Sequence, residues 1–251
     1  MITATIVLYK DNLEVLKKTV DCFLELNIPK KLFLVDNSPT NRLQKHFLYD
    51  DIEYVFVGKN VGFGSAHNIV ISRLKNNSDY HLVLNPDVVF NPQVILNLID
   101  VLKASNAAMI APSIFYPNGD FQSSVRRFPS LIELVARRTP LLKNLLKSKI
   151  KKGMYLDKDL TKPFYAEYVS GCFQLYKTKS FINIKGFDER YFMYLEDIDI
   201  CKKLISMNQS ILYYPNEKII HSFEKGSAKR VKLFLYHLRS MFQYFLKWYI
   251  R

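Results

Sequence analysis

Carboxylates stand in three places where their surroundings could turn them to chemistry. Asp36 closes the apolar run Lys31–Val35 in Val35-Asp36-Asn37-Ser38, and Asp87 follows Leu82–Leu84 in Asn85-Pro86-Asp87. Glu196, Asp197 and Asp199 crowd together after the aromatic stretch Tyr191-Phe192-Met193-Tyr194. A carboxylate at the C-terminal end of a buried strand lies where open α/β sheets place ligands, although a strand that merely ends in a polar turn fits the same residues. In the third cluster, apolar neighbours would desolvate a carboxylate and fit it for proton abstraction. Three acids ahead of the helical run Ile200–Met207 would equally serve as a plain first-turn cap. Gly58 to Asn68, GKNVGFGSAHN, adds glycines that let backbone approach a ligand and a helix start whose amides favour phosphate, without Walker or dinucleotide-binding spacing. His221 is a lone histidine that reads as a hydrogen-bonded structural residue or as a ligand.

The elements that must carry these residues follow from the hydrophobic pattern. Thr3–Tyr9, Lys31–Val35, Ile52–Val57, Leu82–Leu84 and Ala108–Ala111 read as strands. Between them, Asn12–Asn27, Thr40–Leu48, Ser65–Leu74 and Pro92–Ser105 read as helices. That alternation predicts an α/β sandwich with a largely parallel sheet, its N-terminal half a nucleotide platform. From Ser113 the pattern changes. Pro117-Asn118-Gly119 signals a hairpin, and Leu131–Ile150 is helical but interrupted at Pro140. That segment fits a membrane-lying or acceptor-side flap as well as a helix pair packed on the core. Val169–Tyr176 and Ser210–Tyr214 are further strands, the second ending at Pro215, and Lys229–Arg251 is an amphipathic basic helix.

At 251 residues with no Gly/Ser/Pro linker, the chain reads as one domain. Three cysteines without metal spacing, and no secretory signal, point to a reducing compartment. No apolar run is long enough to span a bilayer. The formal charge of +13 is localised: residues 126–152 contribute +8 and residues 225–251 contribute +7, leaving −2 for the remainder. Such patches meet anionic lipid or phosphorylated small molecules, and with no recognisable binding module nucleic acid is not the expected partner. The aromatic and cationic last helix would rest on an anionic membrane surface, on the core, or on a second copy in a homodimer.

Taken in order, the motifs resemble the inverting nucleotide-sugar glycosyltransferases of family 2, most closely the rhamnosyltransferase-like members of bacterial polysaccharide biosynthesis. The resemblance runs from Ala4 to about Tyr244. It implies a GT-A type nucleotide-diphospho-sugar transferase fold over residues 1–224, with 1–111 the nucleotide-binding half and 112–224 the acceptor-side half, followed by the basic amphipathic helix at 225–251. By that match Thr5, Val7 and Tyr9 line the nucleotide pocket, Asp36 recognises the base, and Asn60, Gly62, Asn68 and Asn85 belong to the donor site. His67 stands where many relatives carry arginine. Asp87 and His221 would hold Mg²⁺ or Mn²⁺ against the diphosphate, hard ions that take oxygen ligands and few protein groups when phosphates are present. Asp197 matches the general base, with Glu196, Gly171 and Cys172 on the acceptor side and Gly171 leaving room for a sugar ring.

The implied reaction moves a sugar, L-rhamnose among the candidates, from a dTDP- or UDP-sugar to a hydroxyl of a growing glycan, often carried on polyprenyl diphosphate, at the inner face of the bacterial plasma membrane. No covalent nucleophile is required. A sugar-phosphate nucleotidyltransferase fits poorly, because no glycine-rich loop with activating Arg and Lys follows the first strand. A peripheral membrane or complex-forming protein that keeps the fold without turnover is the non-enzymatic alternative.

Overall fold

Alternation along the first strand separates two layers of side chains, which is why the sheet ends up covered on both sides. The computed structural model describes residues 1–75, 78–130, 132–133, 139–222 and 231–250. In chain order it runs β1 (Ile2–Leu8), α1 (Leu13–Leu24), β2 (Lys30–Asp36), β3 (Ile52–Phe56), α2 (Phe63–Asn68), α3 (Ile71–Leu74), β4 (Tyr80–Leu84), β5 (Val88–Val89), α4 (Pro92–Ala104) and β6 (Ala107–Phe115). There follow β7 (Phe121–Gln122), β8 (Val125–Arg126), α5 (Pro140–Leu145), α6 (Lys147–Gly153), β9 (Phe164–Ala166), β10 (Tyr168–Val169), β11 (Phe173–Lys177), α7 (Thr178–Asn183), α8 (Glu196–Ser206), β12 (Ser210–His221) and α9 (Val231–Tyr249). Ile2, Ala4, Ile6 and Leu8 face Leu16, Val20 and Phe23 of α1 and Ile95, Leu98 and Leu102 of α4. The opposite face packs Ala66, Val70 and Leu74 with Ile200, Cys201 and Leu204. Side-chain caps start the two helices of the first layer: Asn12 Oδ1 accepts from the amides of Glu14 and Val15, and Asn91 Oδ1 from Gln93, with Pro92 in the first turn.

The main path of the sheet is β3-β2-β1-β4-β11-β6-β12-β5, with β7 on β6 and β9 on β12. Six of these eight strands run the same way, since only β11 and β5 pair antiparallel with their neighbours on the path. The sheet is therefore the expected mostly parallel α/β sheet. Its continuity passes through residue 111, inside β6. A two-stranded ribbon, β10 with β8, stands apart from it.

Local departures have local causes. Thr40–Leu48 is not a helix: a single 3₁₀ turn at Gln44–His46 is enough to bury Leu43 and Phe47. The helix expected at Ser65–Leu74 starts at Phe63 and breaks into α2 and α3 around the β-branched Ile69-Val70-Ile71. Pro215 does not end its strand; β12 continues to His221 because the register with β6 shifts between Tyr214 and Lys218. Val169–Tyr176 is split, its first part in the ribbon and its second in the main sheet. The Pro117-Asn118-Gly119 turn does join antiparallel strands, β6 and β7. Part of the Leu131–Ile150 segment, residues 131 and 134–138, lies outside the described residues. Pro140 there opens α5.

Helix α9 lies against the body of the protein. Tyr244 and Phe245 are buried with Tyr191, Leu195 and Ile198, and Met241 and Trp248 pack on the same cluster. At roughly 1.5–3 kcal/mol for each fully buried aromatic side chain, this face holds the helix without help from a membrane. Among the described residues no helix is long and apolar enough to cross one. The three cysteines are unpaired.

Candidate active site

Parallel pairing of β1, β2 and β4 brings their C-terminal ends to one edge of the sheet. Asp36 is fully buried there; Oδ1 accepts the Ser38 amide at 2.8 Å and Oδ2 accepts the Tyr54 hydroxyl. Burial, with the Asp36 carboxylate beside it, holds the Tyr54 phenol far above its ordinary pKa, so it stays a donor. Asn37 Nδ2 donates to the Gly62 carbonyl at 3.1 Å, and Asn60 Oδ1 accepts the Gly62 amide at 3.0 Å. Gly62 has φ +95°, and a Cβ on it would sit 2.5 Å from the Phe192 carbonyl oxygen. The glycine is therefore required both by backbone conformation and by the segment that leads into α8. Thr5 is buried with no hydrogen-bond partner on Oγ1 among the described residues, Val7 is half-buried on the same face, and Tyr9 is exposed at the rim.

Asp11 belongs to this edge although nothing in its motif drew attention to it. Its Oδ2 accepts the Tyr9 amide at 2.6 Å. Burial raises its pKa, that amide opposes, and the charges of Asp87 and Asp36 raise it further. The rule that singles out Asp36 and Asp87, a carboxylate just past a strand end, would have found it three residues after β1.

The Asn85-Pro86-Asp87 turn is fixed from three sides. Thr19 of α1 donates to the Pro86 carbonyl at 2.8 Å, the Asn85 amide donates to the Cys172 carbonyl at 2.9 Å, and the Ser222 amide donates to the Asp87 carbonyl at 3.1 Å. His221 Nε2 stands 3.3 Å from Asp87 Oδ1 and 3.3 Å from Asn85 Nδ2. Its Nδ1 is 2.8 Å from Gln122 Oε1, an acceptor, so Nδ1 carries a proton and donates to Gln122. Gln122, missed by the sequence reading, sits on the two-residue strand after the Pro-Asn-Gly turn. Cys172 also lies against His221, and it is buried. Burial pulls the His221 imidazolium down, but Cys172 and Asp87 outweigh it and push the pKa up to about 10.

These residues fit a divalent ion. Nε2 and Oδ1 face each other at a spacing short enough for both to ligand one cation, and an outer group fixes the histidine tautomer as in metal sites. Among the described residues no group of three or more His, Cys, Asp and Glu could hold a metal, so substrate phosphates and water would complete the shell.

The acidic pair is delivered by an abrupt helix start. Tyr194 and Leu195 both adopt left-handed φ, 71° and 63°, and α8 begins at Glu196 without a side-chain cap. Asp197 Oδ2 accepts the Gly171 amide at 3.3 Å and Oδ1 accepts the Ile198 amide at 2.9 Å. The space that Gly171 leaves is taken by Asp197 itself, since a Cβ there would lie 3.1 Å from the Asp197 Cβ. Glu196 is buried, and among the described residues its Oε2 has no partner. Burial raises both carboxyls above the ordinary range; the Asp197 charge adds to the rise of Glu196, and the Gly171 and Ile198 amides and Arg126 oppose that of Asp197. A carboxylate with raised basicity, next to the Asp87–His221 pair through the Gly171-Cys172 step, can take a proton from a hydroxyl.

Two neighbouring residues of the matched loop, His67 and the expected donor-site residue Asn68, are engaged within the fold. His67 is buried between Phe63 and Phe187, with ring centroids at 4.4 and 5.5 Å, and burial depresses its pKa well below 6.5. Asn68 binds both backbone groups of Phe187, accepting its amide and donating to its carbonyl at 2.9 Å each. That amide clamps the Gly186 turn instead of lining the cleft.

Residues 4–184 match the family model described as Glycosyl transferase family 2. The chain belongs to that family. It is 29% identical over 205 residues to rhamnosyltransferase WbbL of Escherichia coli (strain K12), spanning 78% of this chain and 74% of the relative. It is 28% identical over 207 residues to the N-acetylglucosaminyl-diphospho-decaprenol L-rhamnosyltransferase of Mycobacterium tuberculosis, spanning 77% of this chain and 66% of that one. Among solved structures it resembles GalNAc-T7 with UDP, GalNAc and Mn²⁺ at TM-score 0.68 and 15% identity, covering 90% of this chain and 43% of the other. It also resembles S. aureus TarS at TM-score 0.60 and 12% identity, covering 88% and 36%. The family and these likenesses identify the sheet and its flanking helices as a GT-A nucleotide-sugar transferase fold. For this family 2 chain the class of reaction is inverting transfer from a nucleotide-sugar donor to a glycan acceptor.

Proposed function

We propose that the protein moves L-rhamnose from a dTDP-sugar to a hydroxyl of a lipid-linked glycan, with Asp197 as general base. The observation that carries the reading is Asp197 held at the Gly171 amide, one residue from the Cys172 that packs against His221. Names of the bacterial relatives supply the sugar and the diphospho-lipid acceptor. In this reading Asp36, Asn60 and Gly62 form the base and ribose side of the donor pocket, and Thr5 and Val7 its floor. Asp87 and His221 hold Mg²⁺ or Mn²⁺, which when bound would offset charge on the departing diphosphate. Asp197 takes the proton from the acceptor oxygen as that oxygen attacks C1 of the sugar. Glu196, kept protonated by burial and by its charged neighbour, leaves the negative charge of the pair on Asp197.

Leu235, Phe242, Leu246 and Tyr249 are exposed along α9 and Ile250 just past its end, with Lys232 and Arg239 exposed on the same helix. They support a peripheral seat on an anionic membrane surface where such an acceptor resides.

The test is a donor panel of dTDP-rhamnose, UDP-galactose, UDP-glucose and their N-acetyl forms with Mg²⁺ or Mn²⁺, following nucleotide diphosphate release with and without lipid-linked acceptor. Release from dTDP-rhamnose that requires acceptor is the expected result. Release from a different donor overturns the sugar, and a folded protein that releases nothing from any donor overturns turnover. Sedimentation with phosphatidylglycerol vesicles, absent with neutral ones, tests the membrane seat; a dimer in solution without vesicle binding assigns the α9 stripe to a second copy.

A further inference from the structure

Two adjacent arginines on the ribbon beside Asp197 are held very differently. Arg127 is fully engaged: its Nη atoms donate to Asp157 at 2.7 and 2.9 Å, it donates to the Lys152 carbonyl, and its guanidinium lies 4.2 Å over the Tyr155 ring. Arg126 makes one hydrogen bond among the described residues, from Nε to the Ser123 carbonyl at 3.2 Å, and no ion pair. Among the described residues its Nη donors have no partner, yet it is half-buried and close enough for its charge to act on Asp197. A cation there works against a general base, because it stabilises the carboxylate that must accept a proton. An arginine held beside the base without its own carboxylate therefore calls for an anion that arrives with substrate.

The residues from 168 to 172 locate that anion. Cys172 is tied to Asn85, Gly171 to Asp197, Ser170 to the Ser124 carbonyl at 2.7 Å, and Tyr168 pairs with Arg126. Along this stretch Asp197 lies between the Asn85-Pro86-Asp87 turn and Arg126. The donor diphosphate belongs to the Asp87 end, so an anion at the other end belongs to the acceptor. We propose that Arg126 binds a phosphate or diphosphate carried by the acceptor, on the side of Asp197 away from Asp87. Planar, paired donors suit phosphate oxygens, and the pairing sets the distance between the acceptor's charged group and its reacting hydroxyl. The proposal rests on the transfer reading above and deepens it: the acceptor is anionic close to the sugar that is extended.

The experiment compares two acceptors, N-acetylglucosamine linked through diphosphate to farnesol and the neutral octyl glycoside of the same sugar, in wild type, Arg126→Gln, Arg126→Lys and Arg127→Gln. Wild type should show a KM about 10- to 100-fold lower for the charged acceptor, the range of one charge-assisted contact. Arg126→Gln should abolish that preference, the ratio between the two acceptors, while leaving the donor KM unchanged. Arg126→Lys should recover part of it, and Arg127→Gln should keep it. A second arm measures farnesyl diphosphate binding by calorimetry in EDTA with excess dTDP, where Arg126→Gln should lose about tenfold or more in affinity. Equal slowing of both acceptors, a raised donor KM, or unchanged farnesyl diphosphate binding overturns the proposal. If wild type transfers to neither acceptor, the transfer reading fails, and the binding arm still decides Arg126.

Discussion

Asp197 and Asp199 stand two residues apart in the first turn of α8, and the fold gives them opposite surroundings. Asp197 keeps to the cleft, with the amides of Gly171, Ile198 and its own residue and the Arg126 charge as counterweights to burial. Asp199 is wholly buried; Lys247 donates to both of its oxygens at 2.8 Å, Trp248 Nε1 donates at 2.7 Å and the Tyr191 hydroxyl at 3.2 Å. Lys247 also donates to Asp188 at 2.8 Å. Burial would raise Asp188, but Arg190 and Lys247 outweigh it and hold its carboxyl well below the ordinary range. One carboxylate is left to backbone amides beside the cleft, and the other ties the C-terminal helix to the helix that presents the first. A hydrogen-bonded set that saturates a charge makes it structural, while an incomplete set leaves it reactive.

The largest effect expected from this contrast is on turnover. Asp197→Asn should lower kcat about 10²- to 10⁴-fold with donor KM and melting temperature unchanged, since it removes a proton acceptor and preserves shape. Equal loss from Asp199→Asn at full stability would break the contrast. Next comes the latch. Lys247→Met leaves Asp199 with two neutral donors, and losing one partner of a buried pair costs about 3–5 kcal/mol, read as a lower denaturant midpoint. The double variant Asp199→Asn/Lys247→Met should recover part of that loss. Stability equal to wild type in Lys247→Met would make α9 a separate appendage.

The contrast also marks what could be read in the sequence. Strands β1, β2 and β4 and helices α1 and α4 follow from local periodicity, and Asp36 and Asp87 from their position past an apolar run. Local pattern could not separate Asp197 from Asp199, because the partner that decides, Lys247, is 48 residues away. Gln122 meets His221 across 99 residues and Asn68 meets Phe187 across 119. The antiparallel insertion of β11 between β4 and β6 is a pairing of the same long-range kind. Contacts of this span are chosen by the packed sheet, and a motif read in isolation carries no trace of them.

Histidines repeat the comparison. His221 is held by Gln122 and faces Asp87, whereas among the described residues neither ring nitrogen of His67 has a partner. Gln122→Leu frees the His221 ring and should raise the Mg²⁺ or Mn²⁺ concentration for half-maximal activity about 10- to 100-fold, the usual effect of removing an outer partner of a metal ligand. Asp197→Asn should leave that concentration where it is, measured on its residual activity. A metal requirement untouched by Gln122→Leu would remove His221 from the ion's shell.

The smallest effect is on acid stability, and its sign separates the two kinds of histidine. Burial lowers His81 to about 3 and His67 well below 6.5, so the unfolded chain binds protons that the folded chain refuses. Stability from these two is complete above about pH 6.5 and is lost as pH falls toward the folded values. For His81 alone the loss between pH 6.5 and 4.5 is about 2 kcal/mol, from 1.36 kcal/mol per pH unit less the rounding near the unfolded pKa. His221 has the opposite sign, raised to about 10 in the metal-free site, so its share is present below 6.5 and is lost as pH rises through 10. Denaturant unfolding of His81→Gln in EDTA, measured at pH 6.5 and 4.5, should show a shallower fall than wild type. The same measurement on His221→Gln should keep the wild-type fall across that window and lose stability relative to wild type at both pH values. A His81 variant that falls as steeply as wild type would mean the buried ring is protonated in the folded chain, and the division between a histidine beside a carboxylate and histidines lowered by burial would then fail.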